Sequence, residues 1–183
     1  MAPYEAISAH GADMRRRARS LKRILRLLMP SRIPTISPVQ EMISIDPSTT
    51  HPRELYPIMI GSIVPRPIAF VSTINPEGIG NLAPYSFFNG VCSNPPCLMI
   101  SVTRKRDTTK KDTLINIEST GEFVVNMVSE WMIEAAHHCS AEYPYGVDEM
   151  QKAGLTPLPS QKVKPMRVKE SPIQLECELY KTI

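Results

Sequence analysis

The stretch from Pro65 to Asn116 constrains this chain more than any other, because it packs strand, turn, loop and helix signals into one continuous unit. Ile68 to Thr73 is an apolar, β-branched run. It is preceded by Pro65 and Pro67, which tolerate no central strand position, so a strand is expected to start here. Asn75-Pro76-Glu77-Gly78 places Pro where its fixed φ suits a turn and ends on Gly, which predicts a reversal into a hairpin. The second arm, Ile79 to Phe88, is interrupted by Gly80 and Pro84. These residues predict an irregular ladder with backbone groups left for other partners. Beyond Ser93-Asn94-Pro95-Pro96, Cys97 to Thr103 reads as a short buried strand.

The character then changes. Arg104, Lys105, Arg106, Lys110 and Lys111 interleave with Thr108, Thr109 and Thr113, just before Leu114, Ile115 and Ile117 at helical spacing. Asp112 or Thr113 is the expected helix cap. A helix N-terminus offers unpaired N–H groups and partial positive charge, and hydroxyls and lysines beside it add donors that suit a phosphate. Thr108 to Thr113 is therefore a candidate phosphate cradle, although charge alone favours a solvated basic turn, since surface loops often carry several Lys and Arg. Neither GxxxxGK[ST] nor GxGxxG occurs.

Around this unit, 183 residues with 42% hydrophobic and 21% charged composition suit one domain with a real core. The 18 prolines fall between short strand signals, which favours a β-rich architecture over a helical bundle. Ser48, Thr49 or Thr50 is the expected cap of a short helix to Ile60, with Pro52 in its first turn and Pro57 kinking it. Leu114 to Ser119 predicts a helix closed by Gly121, and Phe123 to Val128 a buried strand. Glu130 to Cys139 predicts a second helix capped by Ser129, with Trp131 in its first turn and expected to be buried in the core or an interface. Tyr143 to Glu149 reads as a loop opening a helix closed by Gly154. Val163 to Glu170 is strand-like, and Ser171 to Ile183 alternates as a half-exposed strand.

The net charge of +3 hides an asymmetry: residues 1 to 32 carry eight basic and two acidic side chains, leaving 13 basic against 16 acidic. The globular part is mildly acidic and gives no broad nucleic-acid footprint. Leu21, Ile24, Leu25 and Leu28 share a helical face, with Arg15, Arg19, Lys22 and Arg26 largely elsewhere. Four readings of this extension stand together. It is a mitochondrial presequence, against which Glu5 and Asp13 count; a disordered basic tail; a basic surface helix on anionic lipid; or sequence upstream of a true start at Met42. Residues 1–41 are accordingly set apart from a domain spanning 42–183. No apolar run approaches the roughly 18 residues a membrane span needs.

His137, His138 and Cys139 are consecutive, so on a helix they point apart and do not converge on one metal ion. Cys92, Cys97, Cys139 and Cys177 form no CxxC and are expected to be reduced thiols, Cys92 either redox-active or buried and structural.

The blocks RPIAFVST, NLAPYSFFNGVCSNPP, LMISVTRKRDTTKKDTLINI and GEFVVNMV, in that order, resemble the flavin reductase-like family of FMN-binding split barrels, the group that includes flavoredoxin-type proteins. The likeness runs from about Leu55 to the C-terminus. It implies a mainly β fold with short helices, a Greek-key split barrel. Family members continue with at least one further strand, so this chain is expected to be C-terminally truncated, with an unpaired edge.

The same resemblance implies the site. Lys111 and Thr113 would bind the FMN phosphate, with Thr108 or Lys110 assisting. Asn81, Ala83, Pro84, Tyr85 and Ser86 would line the isoalloxazine, Ser72 and Thr73 would sit near the ring or ribityl chain, and Asn116 would lie next to Thr113. On residue type alone, Ser72 and Thr73 are ordinary strand residues, Tyr85 is a core aromatic, and Phe87 and Phe88 are core. Tyr143 or Tyr145 is expected at the mouth of the site or in simple loop packing. Arg66 is open between a phosphate or dimer contact and a surface charge.

The implied activity is that of an FMN-binding oxidoreductase moving reducing equivalents between NAD(P)H, FMN and a small acceptor, as a homodimer in the cytoplasm, or in mitochondria if the extension targets it there. No triad or carboxylate pair is needed, because hydride chemistry belongs to the cofactor. A non-catalytic FMN carrier and a truncated paralogue acting only as an interaction partner are the alternatives. Pyridoxamine-phosphate oxidase-like chemistry is disfavoured by the RPIAFVST and NLAPYSFFN blocks.

Overall fold

A computed structural model describes residues 42–183, so the basic extension and the readings attached to it lie outside the described residues. The chain divides into two units, and the second, His51–Ile183, carries every helix and strand described. In residues 42–50 the Asp46 carboxylate accepts from the Ser48 N–H at 2.8 Å and its hydroxyl at 2.7 Å, closing a local turn.

The second unit opens with helix α1, Pro52–Ser62. Its cap is His51, whose Nδ1 accepts from the Arg53 N–H at 3.1 Å, in place of the expected Ser48, Thr49 or Thr50. Pro52 sits in the first turn, where no N–H is needed, and Pro57 is carried within the helix. Strand β1, Ala69–Ile74, and strand β2, Gly80–Tyr85, form the expected hairpin. The Gly78 N–H donates to the Asn75 carbonyl at 3.0 Å, and Gly78 has φ 86, the left-handed geometry that lets a three-residue loop close. The β2 ladder is regular from Ile74↔Gly80 to Ala69↔Tyr85, contrary to the irregular arm expected from Gly80 and Pro84. β2 is an edge strand, so Pro84 faces the open side without interrupting a ladder bond.

Strands β3, Phe88–Ser93, and β4, Pro96–Ile100, make a separate hairpin that is far more exposed than the expected buried strand. Helix α2, Asp112–Thr120, ends on Gly121 at φ 73, whose N–H bonds the Ile117 carbonyl. Strand β5, Glu122–Met127, follows directly. A 3-10 turn at Glu130–Met132 leads into helix α3, Ile133–His138, and Asp148 caps helix α4, Glu149–Lys152. Short strands β6, Pro157–Leu158, and β7, Arg167–Val168, pair with each other, so Val163 to Glu170 is mostly irregular; β8, Gln174–Glu178, is the last strand.

The main sheet is antiparallel, in the order β2-β1-β5-β8. Among the described residues, β2 and β8 are its open edges. The pleat sends successive β1 residues to opposite faces, and both faces are covered. Phe70 and Leu82 pack with Met132, Ala136, Cys139, Met150 and Val168 on one side. Ala69, Val71, Tyr85, Phe123 and Val125 pack with Ile117 of α2 on the other. Asn126, fully enclosed, ties the layers together. Its Nδ2 donates to the Phe70 carbonyl at 3.0 Å and to Ser72 Oγ at 3.2 Å, and its Oδ1 accepts from the Val168 N–H at 2.9 Å.

Trp131 is not in the core of the described residues: it is 71% exposed, its indole N–H donating to the Glu170 carbonyl at 3.0 Å. The 3-10 turn gives the inward position to Met132 instead. Phe70 and Trp131 should therefore behave oppositely on truncation. Phe70→Ala is expected to cost about 3–5 kcal/mol in denaturant unfolding through lost burial and a residual cavity, while Trp131→Ala costs under about 1 kcal/mol. Equal losses would contradict this division of the core.

Candidate functional site

Residues spread over the sequence meet at the Thr73 end of β1. The register sets Thr73 opposite Asn81 and Val71 opposite Ala83, so Thr73, Asn81, Ala83 and Tyr85 share the face covered by α2. The same pleat turns Ser72 to the opposite face, where its hydroxyl donates to the Met166 carbonyl at 2.6 Å. Of the two neighbours expected at the site, only Thr73 reaches it.

The centre is the Asn81 side chain. Its Oδ1 accepts from the Thr113 hydroxyl at 2.8 Å and the Thr73 hydroxyl at 3.2 Å. Thr113 in turn accepts from the Tyr85 hydroxyl at 2.9 Å, and Thr73 from Asn116 Nδ2 at 3.0 Å. The Tyr145 hydroxyl donates to Asn116 Oδ1 at 3.2 Å. On its other side, Asn81 Nδ2 donates to both carboxylate oxygens of Glu149, at 3.0 and 2.9 Å, and the Leu82 N–H reaches the same carboxylate at 2.9 Å. No buried side-chain polar atom among the described residues is left without a partner.

Beside this frame lies an open cleft of about 140 Å³. The β2 edge supplies Ala83 and Pro84, the start of α2 supplies Lys111 and Asp112, the preceding loop Lys105, and the segment after α3 Tyr143. The Lys111 ammonium stands 5.6 Å from the centre of the Tyr85 ring, within cation–π range. Lys111 is also the N-cap of α2, contrary to the expected Asp112 or Thr113, and no side chain caps the helix. The Asp112 and Thr113 N–H groups thus keep their positive partial charge without a partner among the described residues, beside the Lys111 ammonium, which makes no ion pair among them. Lys105 Nζ pairs with the Asp112 carboxylate at 2.9 Å and so neutralises the one acid in that turn.

Other expected members lie apart from the cleft or are spent elsewhere. Lys110 pairs with Glu118 on the surface. Thr108 has φ 70, a strained conformation for a β-branched residue, and closes its own loop through its N–H to the Lys105 carbonyl at 3.0 Å. The Ser86 hydroxyl accepts from Arg66 Nε at 3.4 Å. Arg66 also donates to the carbonyls of Ile60 and Ile63 at the end of α1, a helix-terminus contact. Phe88 packs against the core, whereas Phe87 meets Tyr56 edge-on. The Tyr143 hydroxyl meets His138 Nδ1 at 3.1 Å.

Glu149 was not singled out as a site residue. Its only sequence signal is a place after the capping Asp148, which marks a helix start and says nothing of burial. Desolvation raises its carboxyl above the ordinary 4.5, against the Leu82 and Asn81 hydrogen bonds that favour the anion. Burial pushes the Tyr85 phenol to about 12 and, with the Glu149 charge, the Cys139 thiol to about 12, so both stay protonated at neutral pH.

The uncapped helix start with Lys111 suits an anion, and the Ala83-Pro84 edge suits an apolar group. The cleft itself is smaller than the ~300 Å³ at the lower end of enclosing ligand pockets, so a larger ligand would extend along the open surface.

A family model described as "Flavin reductase like domain" matches residues 60–183. An uncharacterized protein of Aquifex aeolicus is 52% identical over 129 residues, covering 70% of this chain; the chain spans 66% of that relative's own length. The crystal structure of nitrilotriacetate monooxygenase component B from Bacillus cereus matches with a TM-score of 0.74 and 40% identity, over 78% of this chain and 70% of that one. A putative flavin reductase with split barrel domain from Shewanella frigidimarina matches with a TM-score of 0.62 and 26% identity, over 73% and 65%. The fold is thus a split barrel of mainly β structure.

The Glu149 titration gives a sign to the pH dependence. Its folded-state value lies above the unfolded one, so between the two the folded protein holds a proton that the unfolded chain has released. The stabilising contribution is complete below about pH 4.5 and is lost as pH rises through the folded value. Glu149→Gln should remove this part of the decline in unfolding free energy above pH 4.5; an unchanged slope would show that Glu149 does not titrate abnormally.

Proposed function

Because the chain belongs to the flavin reductase-like domain family, we propose that it is an FMN-binding oxidoreductase that takes reducing equivalents from NAD(P)H and passes them to a small acceptor. The observation that carries this reading is the uncapped start of α2, with a Lys111 ammonium that makes no ion pair among the described residues, opening onto a cleft whose other wall is the apolar edge Ala83-Pro84. An anion site at one end and an apolar wall at the other are what a flavin phosphate and ring require.

In this proposal the Lys111 ammonium and the first-turn N–H groups of α2 hold the phosphate. Thr113 contributes through the backbone, since its hydroxyl is engaged with Asn81 and Tyr85. Asn81, Thr73 and Asn116 act as a rigid frame beneath the site and keep their side-chain bonds internal. Ala83, Pro84 and the backbone of β2 border the ring. Bound FMN supplies the hydride and electron chemistry, and Tyr85 and Cys139, both protonated at neutral pH, bring no competing anion to the wall. The small, open cleft also accords with a homodimer in which a second subunit completes the enclosure. The bacterial relative accords with a cytoplasmic setting and lends nothing to mitochondrial targeting.

Purified protein mixed with FMN and freed of excess should keep oxidised-flavin absorbance bands, and should then oxidise NADH or NADPH when an acceptor is present. Retained flavin without nicotinamide oxidation would identify a carrier, and loss of all flavin would overturn the reading. Lys111→Ala is expected to weaken FMN binding by about 1.5–3 kcal/mol, roughly one charge-assisted hydrogen bond. Lys110→Ala, whose ammonium pairs with Glu118, should leave affinity unchanged in the same titration.

A further inference from the structure

The β3–β4 hairpin carries a second chemistry, independent of the cleft. Cys92 and Cys97 are directly opposed across it, with Asn94-Pro95 as the connecting turn. A one-residue bulge creates this pairing. Gly90 faces Leu98, and an unbroken ladder would then set Val91 against Cys97; the register shift passes over Val91 and brings Cys92 there instead. Opposed residues of an antiparallel pair project to one face, with Cα atoms about 4.5–5.5 Å apart. That separation lies within the range of about 4.4–6.8 Å that a disulfide spans.

Cys92 is exposed and Cys97 half-buried. The Cys92 thiol donates to the Pro95 carbonyl at 2.9 Å, which holds it over the turn. Desolvation, and then the Cys92 thiol beside it, keep Cys97 above the ordinary value for a thiol, so the two side chains sense one another. The remaining cysteines differ: Cys139 is buried against the cleft, and Cys177 lies opposite Phe123.

We propose that Cys92 and Cys97 form a dithiol–disulfide couple that exchanges with small-molecule disulfides. The exposed Cys92 acts first: as its thiolate it attacks one sulfur of RSSR, forming a Cys92–S–SR mixed disulfide and releasing RS⁻, which takes up the proton Cys92 lost. Cys97 then attacks the Cys92 sulfur, its proton leaving with the second RSH. The two cysteines lose two electrons and two protons in all, and RSSR is reduced to two RSH. The product closes the hairpin at its bulge and locks the register that created the pair.

The test treats the full chain, folded, with 2-hydroxyethyl disulfide, then blocks remaining thiols with iodoacetamide and reads peptide masses. The expected result is a peptide containing Cys92 and Cys97 that is lighter by two hydrogens and carries neither reagent, with the free thiols of the denatured protein falling from four to two. In Cys97→Ser the hydroxyethylthio group should remain on Cys92 as a stable adduct, confirming the order of attack; both positions lie on an exposed hairpin, and circular dichroism verifies that the variant is folded. Wild-type protein that retains the adduct on Cys92, takes adducts on both residues, or leaves both to iodoacetamide overturns the proposal.

Discussion

The side-chain amide of Asn81 is where the constraints of this structure meet. Its amide nitrogen and its oxygen are both engaged, and the partners come from β1, α2 and α4. The Glu149 carboxylate, when ionised, can only accept, so it decides which way the amide points. Every other polarity follows. With Asn81 Oδ1 as acceptor, Thr73 and Thr113 must donate their protons to it, and each must receive its next bond, from Asn116 and Tyr85. The direction of each bond in the frame traces back to one buried anion.

That anion is under opposing pressures. Burial favours the neutral acid, whereas the bonds from the Asn81 amide nitrogen and the Leu82 N–H favour the carboxylate, and desolvation dominates the balance. A protonated Glu149 would turn one acceptor oxygen into a donor against groups that themselves donate. Replacing Asn81 would be costly for the same reason, because it would leave the Glu149 charge without its principal side-chain partner in an enclosed place.

Local features were the legible ones. The Asn75 to Gly78 turn, the Gly121 helix end and the apolar runs of β1 and β5 depend on neighbouring residues alone, and the structure forms them where the sequence signals lie. Pro84 misled because a proline interrupts a ladder only on a side that is paired, and whether a strand is an edge is settled by the whole sheet. Ser72 and Thr73 were separable in principle, since a strand cannot aim neighbours at one face. Glu149 was not, because its partners are 67 and 68 residues away in the chain. The Cys92–Cys97 pair likewise depends on a bulge at Val91, and no residue-type rule marks that position.

In the proposed site the frame and the cleft divide the labour of recognition. Thr73, Thr113, Asn116 and Tyr85 spend their polar groups on one another, so they set the position of the α2 start without being the donors that meet a ligand. What faces outward is less specific but well placed: an ammonium over an aromatic ring and the uncapped N–H groups of a helix. Such donors recognise charge and approximate position. Their selectivity depends on how rigidly they are held, and that rigidity comes from the fully satisfied network behind them. In the proposed site, a substitution within the frame would thus weaken phosphate binding without touching the phosphate, by releasing the first turn of α2 from β1 and β2.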